Sequence, residues 1–478
     1  MIGVIRRMLP RGGFARNVAT LTGATAFGQL TGLLALPILT RICGPQEFGA
    51  AAVYSGVVGL IAVIAMLRYE IAITLPRTDR GGLHVAVVAL VTLIAISLMA
   101  SIVSPLMHEW TGNVAGFSNL AFTVLIVAGT LVTGAYQIAN YWAIRKSKFS
   151  AITQTRIQQG IAAPVFQIGF GLAGFGSLGL ILGLIVGQCA GVLRLATNMI
   201  ADNRKTGFHI HRRGIAWAIR RYSRFPLYDS WAGLLNMAGS QAPVLLFAAF
   251  FSPSLAGYYA LASRLVSAPN TLVGKALSQA LLPKIIAAGR RGEGGPLVLR
   301  LISILSWLSF LPFTLVALAS GDLIPYAFGA QWAPAASVVT WTAIAAAWQF
   351  VVSPLSIVMV GLEALRLHTL VQFILFAARV AAILTGAFLP SADFAIIGFS
   401  LASALGYGLF LLVIGAVTGT RSSLMLKAML MPLILSAACA LAALYSAAYI
   451  SNMAAYGVMF VFGVGWLLCV YKITIKGL

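Results

Sequence analysis

The stretch Asp202–Phe225 reads DNRKTGFHIHRRGIAWAIRRYSRF, with basic residues at Arg204, Lys205, Arg212, Arg213, Arg220, Arg221 and Arg224. The chain on either side of it is apolar for about two hundred residues. The sequence is therefore two oily halves joined by a cationic strap. Within the strap, Ile215, Ile219 and Tyr222 recur at helical spacing with Arg220, Arg221 and Arg224 between them. That pattern predicts a short basic amphipathic helix suited to a membrane surface; the plainer reading is a solvated arginine-rich loop. The hydrophobic neighbours argue against nucleic acid as a partner. Cationic loops beside such segments are cytoplasmic by the positive-inside rule, which places the centre of the chain inside the cell.

Composition supports the same class. Of 478 residues, 60% are hydrophobic and only 9% charged, and mean hydropathy is +0.95. A soluble domain carries roughly 25% charged residues, so this chain could not cover a water-facing surface, and one anchor plus a soluble enzyme domain is excluded. The net charge of +22 is not a partner signal in itself, because basic residues of membrane proteins gather in cytoplasmic loops and at helix ends. Cys43, Cys189, Cys439 and Cys469 lie in or beside apolar runs without metal-ligand spacing. His209 and His211 have no cysteine or acidic companions nearby. No metal site or cofactor is expected. Arg6, Arg7, Arg11 and Arg16 precede an apolar run, Val18 to Leu39, that is longer than a signal-peptide core and reads as retained.

A span needs roughly 20 apolar residues, and about fourteen such stretches can be read. The first half holds 18–39, 48–75, 83–104, 116–139, 157–174 and 178–199. The second holds 228–250, 256–285, 299–319, 335–360, 367–388 and 394–417, with two more near 425–448 and 455–471. The expected fold is all-α: two parallel six-helix lobes, 1–200 and 227–420, a cytoplasmic linker over 201–226, and two further helices in 421–478. Loop charge alternates accordingly. Arg77, Arg80, Arg145, Lys146, Lys148, Arg156, Arg366, Arg421, Lys427, Lys472 and Lys476 fall inside, whereas Glu47, Glu109, Asp322 and Asp393 fall outside with Arg41 as the basic exception. Both termini are then cytoplasmic. The external loops are too short for a folded catalytic domain, so an enzyme is not expected.

An internal repeat supports two parallel halves. GPQEFGAAAVYSG at Gly44–Gly56 and SPSLAGYYALASR at Ser252–Arg264 align Pro45 with Pro253, Gly49 with Gly257, Ala52 with Ala260 and Ser55 with Ser263, all at one offset of 208 residues. Repeat-built transporters place substrate between the copies near the midplane. The sixth span carries Gly179, Gly183, Gly187 and Gly191, a four-residue period that lets another helix approach closely, and packing within the first half is expected.

Charge within the membrane is costly, roughly 2.5–3.5 kcal/mol at a helix centre, so deep charges mark candidate sites. Arg264 lies eight residues past Ala256, roughly 12 Å into its span, on a small and polar face of Ala256, Ala260, Ser263, Ser267, Asn270, Thr271 and Gly274. It reads as a substrate-site cation or as half of a structural ion pair. Arg379 lies thirteen residues past Arg366, roughly 20 Å along its helix, with His368 and Gln372 on the same face. Lys275 and Arg41 lie nearer helix ends, where snorkelling explains them equally well. Asp229, Asn236 and Ser240 form one polar stripe, and Thr22, Thr25, Gln29 and Gly32 another. Asp229 is a candidate ion-coupling carboxylate, a partner for Arg264, or only an entry-side residue. Glu70 is a second ion-coupling candidate; Arg68, two residues before it, is not expected to face it along a helix. The deep charge is positive in balance. That favours an anion such as a diphosphate, which arginine can hold at two points.

The segments NVATLTGATAFGQLTGLLALPILTRICGPQEFG from Asn17, LRYEIAITLPR from Leu67 and ANYWAIRKSKFSAITQTR from Ala139 resemble the multidrug/oligosaccharidyl-lipid/polysaccharide exporter superfamily, in particular its O-antigen flippase (Wzx-type) branch. FSPSLAGYYALASRLVSAP from Phe251 and FGAQWAPAAS from Phe328 carry weaker echoes. The resemblance implies a flippase of the bacterial inner membrane. Its cargo would be a polyprenyl-diphosphate-linked oligosaccharide of undecaprenyl type, and its lobes would rock about a central cavity lined by the first, second, seventh and eighth spans. Thr25, Gln29, Asn236 and Arg264 fall on those spans. It further implies membrane lipids, a coupling ion (H+ or Na+), and polysaccharide polymerase and export proteins as partners. Alternatives on the same fold are an ion-coupled multidrug antiporter and a peptidoglycan-precursor flippase.

Overall fold

The computed structural model describes residues 13–110, 118–206, 211–290, 294–389 and 391–476. Every regular element among them is helical. The chain divides into two compact units, 10–260 and 261–478.

The first unit holds α1 (Gly13–Ile42), α2 (Pro45–Ala65), the short α3 (Tyr69–Ala72), α4 (Asp79–Trp110), α5 (Asn119–Arg145), α6 (Phe149–Leu172), α7 (Gly176–Thr206), α8 (Arg212–Arg221) and α9 (Ser230–Phe250), and it takes in the first turns of α10 (Pro253–Arg290). The remainder of α10, α11 (Gly294–Phe328), α12 (Ala335–Leu355), α13 (Ile357–Gly361), α14 (Leu365–Ala387), α15 (Ala392–Thr418), α16 (Ser422–Tyr449) and α17 (Asn452–Lys476) make the second. Eleven helices among the described residues are long and apolar enough to cross a membrane, and Asn452–Leu467 is a shorter apolar helix. The expected count of fourteen is thus approached rather than fixed: α6 is long enough but opens on the polar run Thr153, Gln154, Arg156, Gln158 and Gln159. Aliphatic side chains such as Leu34, Leu98 and Ile102 point outward, with Ile102 77% exposed. Such a surface suits lipid, not water.

Helix starts are set locally. Pro45 occupies the first turn of α2, where its missing N–H costs nothing, and the Glu47 carboxylate accepts the Gly44 N–H at 2.7 Å. At α10 Pro253 follows Ser252, whose hydroxyl accepts the Leu255 N–H at 3.1 Å. These repeat-related turns touch each other inside the first unit. A Cβ on Gly49 would overlap the Pro253 carbonyl, and one on Gly257 would overlap the Pro45 carbonyl.

The glycine period on α7 packs within the first unit, as the sequence predicts. A Cβ on Gly183 would come 2.5 Å from Gln167 Cγ of α6, and one on Gly187 2.6 Å from the Ala163 Cβ. A core of Ala65, Met66, Tyr69, Ile73, Val85, Ala89, Leu93, Ile138, Trp142 and Ala218 ties α2, α3, α4 and α5 to the strap helix α8. In the second unit Leu305, Phe310, Phe350, Val351, Leu355, Phe410 and Ile414 join α11, α12 and α15.

The second expected span, 48–75, breaks early. Helix α2 ends at Ala65, and Leu67 and Arg68 then take left-handed φ of 48° and 60°. Such a conformation costs a non-glycine residue about 1–2 kcal/mol, so the break is held open by what Arg68 reaches.

Candidate functional site

That left-handed turn swings Arg68 out of helical register. Its Nε donates to Asp229 Oδ2 at 2.9 Å, and its Nη1 lies 3.7 Å from Glu70 Oε1. Arg68 and Glu70 therefore approach each other, contrary to expectation from helical spacing, because Arg68 precedes α3 and does not share a helix with Glu70. Asp229 comes from a single π-turn, Phe225–Asp229, with Pro226 in its first positions. Such a turn inserts one extra residue and re-aims the helix beyond it. Asp229 accordingly takes Arg68 as an ion-pair partner.

Glu70 is 2% exposed, and its Oε2 has no hydrogen-bond partner among the described residues. Burial pushes its carboxyl up to about 7; Asp229 adds to the rise, and Arg68 offsets part of it. A carboxylate poised there exchanges its proton near neutral pH. The cluster joins α2, α3 and α9, outside the long apolar helices. The same unit holds two more ion clusters. Arg145 Nε lies 3.1 Å from Asp79 Oδ1 and Lys146 Nζ 2.5 Å from Asp79 Oδ2, while Lys148 Nζ lies 2.7 Å from Asp202 Oδ1. All these residues come from segments that the charge alternation assigns to one side.

Thr25 meets Arg156, which the charge alternation assigns to a cytoplasmic loop. Helix α6 starts at Phe149, so Arg156 stands two turns inside it, and its Nη1 donates to Thr25 Oγ1 at 2.5 Å. Thr31 Oγ1 donates to the Gly160 carbonyl at 2.7 Å one turn on. The signal for Arg156 is its setting: it opens a run of glutamines, too polar for a lipid-facing helix. Gln29 is half-buried on α1, Arg41 is exposed at its end, and Asn236 and Ser240 are exposed on α9.

In the second unit Arg264 is exposed on α10. No acidic partner for it occurs among the described residues. The face expected to be open around it is mixed. Ala256, Ala260 and Asn270 are buried, and both amide atoms of Asn270 have no partner among the described residues. The side chains of Lys275 and Thr271 lie outside the described part, as does His209. Arg379 on α14 is pinned to α15. Its Nε donates to Ser403 Oγ at 2.9 Å, and its guanidinium lies 5.0 Å from the Tyr407 ring centroid and 5.8 Å from that of Phe399. The nine predicted site residues thus fall into separate settings. Asp229 and Glu70 share Arg68, Thr25 takes Arg156, and Arg264 and Arg379 stand on different helices with no bond between them. Among the described residues no group of three His, Cys, Asp or Glu could hold a metal.

Comparison with known proteins places the chain. Residues 38–337 match the family described as polysaccharide biosynthesis protein. The chain is 26% identical over 327 residues to the succinoglycan biosynthesis transport protein ExoT of Rhizobium meliloti (strain 1021), a match spanning 66% of this chain and 63% of that protein. In fold it is similar to the lipid II flippase MurJ in an inward closed conformation (TM-score 0.73, 13% identity, 96% of this chain and 99% of that one). It is also similar to an inward-facing multidrug resistance MATE family transporter of the MOP superfamily (TM-score 0.64, 13% identity, 84% of this chain and 96% of that one). The chain belongs to the polysaccharide biosynthesis protein family and carries the all-helical, multi-pass membrane fold of the MOP exporter superfamily.

Proposed function

We propose that the protein is a flippase that carries a polyprenyl-diphosphate-linked oligosaccharide across the bacterial inner membrane by alternating access. The observation that carries this reading is Arg264: an arginine that keeps open surface eleven residues past the start of a long helix, without an acidic partner among the described residues. A cation left uncompensated at that depth is stabilised by an anionic cargo, and a diphosphate offers the paired oxygens that arginine binds best. Family membership and the transport function in the name of the Rhizobium relative supply the oligosaccharide part. Glu70, raised toward neutrality by burial and linked by Arg68 to Asp229, is the candidate for proton coupling, and the basic strap beside it supports a cytoplasmic position for that cluster.

The test is complementation of a deletion strain with wild type, Arg264→Ala and Arg264→Lys, reading surface polysaccharide. Arg264→Ala should abolish output while protein abundance holds, and Arg264→Lys should restore only part. Wild-type output from Arg264→Ala would overturn the assignment. Normal polysaccharide with new drug sensitivity in the deletion strain would point instead to a multidrug antiporter.

A further inference from the structure

The strap contains a built cationic pocket that the transport reading does not use. Helix α8 docks by its small residues. Gly214 and Ala218 are buried, and a Cβ on Gly214 would collide with the His84 ring of α4. Beside that docked edge, Arg213, Trp217, Arg220 and Arg221 follow one another around the outward side of the helix at steps of four, three and one, and Arg224 joins them from the turn after it. These residues, with Ala216 and Ser223, line an open cavity of about 800 Å³. All four arginines are exposed, and none has an ion-pair partner among the described residues. Trp217 is held in place edge-to-face against Tyr222, ring centroids 5.9 Å apart, while 45% of it stays exposed. Just beyond the pocket Leu227 and Trp231 are 63% and 66% exposed at the start of α9.

Four uncompensated guanidinia on one short segment repel one another unless an anion sits among them. An aromatic at the edge of the group, continuing into outward-facing leucine and tryptophan, is the chemistry of a membrane interface. A soluble anion would have no use for that apolar margin. We infer that the pocket formed by Arg213, Trp217, Arg220, Arg221 and Arg224 binds the phosphate headgroup of an anionic lipid, with the acyl chains running along Leu227 and Trp231. The site stands on α8 and the turn after it. It rests on the flippase reading only for its side of the membrane, and it holds whether or not Arg264 touches cargo.

Native mass spectrometry of the full chain, titrated with phosphatidylglycerol or phosphatidylcholine, tests this. Wild type should retain phosphatidylglycerol in preference to phosphatidylcholine. The variant Arg213→Gln/Arg220→Gln/Arg221→Gln/Arg224→Gln should lose affinity by on the order of a hundredfold, since each basic residue near an anionic headgroup contributes substantially. Arg264→Ala should bind as wild type does, which separates this site from the transport assignment. Should the fourfold variant misfold, Arg213→Gln/Arg224→Gln, which removes only the two exposed ends of the group, should still lower affinity several-fold with its melting temperature unchanged. Glycerol phosphate and inorganic pyrophosphate serve as soluble competitors. Weak competition supports a lipid; competition as strong as that of phosphatidylglycerol assigns the same arginines to a free phosphate compound and overturns the lipid assignment. Equal retention of both lipids, or unchanged affinity in the arginine variants, overturns the site itself.

Discussion

Gly49 and Gly257 stand face to face, and neither has room for a Cβ: one on Gly49 would overlap the Pro253 carbonyl and one on Gly257 the Pro45 carbonyl. The residues that align in the repeat therefore meet one another, so a local pseudo-twofold relates the starts of α2 and α10. A single alanine in a helix normally stabilises by about 0.5–1 kcal/mol relative to glycine. Here the obstructing atoms are backbone, fixed by prolines, and cannot yield like a side chain. Gly49→Ala and Gly257→Ala should each destabilise by about 1–3 kcal/mol, by similar amounts, in thermal unfolding of detergent-purified protein. Gly59→Ala is the control, because its Cβ would meet chiefly the flexible tip of Met237. A Gly257→Ala variant that melts at or above the wild-type temperature would refute the reciprocal contact.

Glu70 makes stability depend on pH with a definite sign. Its carboxyl is raised from 4.5 to about 7 in the folded chain. Between those values the folded state binds the proton and the unfolded state does not. Stability is therefore greatest below about pH 4.5 for this group, falls as pH rises, and has lost the full contribution above about pH 7. At about 1.36 kcal/mol per unit, the loss is on the order of 3 kcal/mol. Glu70→Gln should flatten the melting-temperature profile between about pH 5 and pH 8. Arg68→Ala, which removes the one side chain that lowers this carboxyl, should shift the fall to higher pH. An unchanged profile in Glu70→Gln would remove Glu70 from any protonation step.

Fold class and repeat are legible in the sequence for one reason: a hydrophobic run near 20 residues, a loop charge and a Pro-x-x-x-Gly turn are local features. The four-residue glycine period names its own consequence, close approach, though not its partner, α6. The ionic clusters are not legible in the same way. Arg68 meets Glu70 because two successive residues leave the right-handed helix, and Asp229 reaches Arg68 through a π-turn. Neither departure has a compositional signature that spacing rules detect. Arg156 escapes the same rules because a polar first half makes α6 look like a loop. Arg264 and Arg379 stand out by depth, yet depth does not tell a guanidinium with neighbours from one without.

The Thr25–Arg156 bond carries its own prediction. Arg156 stands inside α6 among glutamines, and its described side-chain hydrogen bond goes to the Thr25 hydroxyl. Thr25→Val removes the acceptor and leaves a charged donor unsatisfied, at a cost of about 1–3 kcal/mol. Thr25→Ser keeps it. Polysaccharide output in the deletion strain should track the hydroxyl, falling in Thr25→Val and holding in Thr25→Ser. Equal output from both would show that the pair neither supports the fold nor lines the path.

Arg379 and Arg264 allow a structural arginine to be told from one with the proposed role in binding cargo. Its Nε is satisfied by Ser403, and its face lies over Tyr407 and near Phe399, all on α15. A cation–π contact contributes about 0.5–2 kcal/mol and a hydrogen bond to a charged group about 1.5–3 kcal/mol. Arg379→Ala should therefore loosen the α14–α15 pair and lower the melting temperature. Arg379→Lys keeps charge and ring contact but lacks the planar fork, so it should recover part of the stability. Arg264→Ala, with no described acidic partner to lose, should melt close to wild type while transport fails. If instead Arg379→Ala melts like wild type and abolishes polysaccharide output, Arg379 belongs with Arg264 among the residues that meet the diphosphate, and its hold on α15 only positions it. Measuring stability and output on the same two variants decides between these roles, because a helix pin and a cargo contact fail in opposite order.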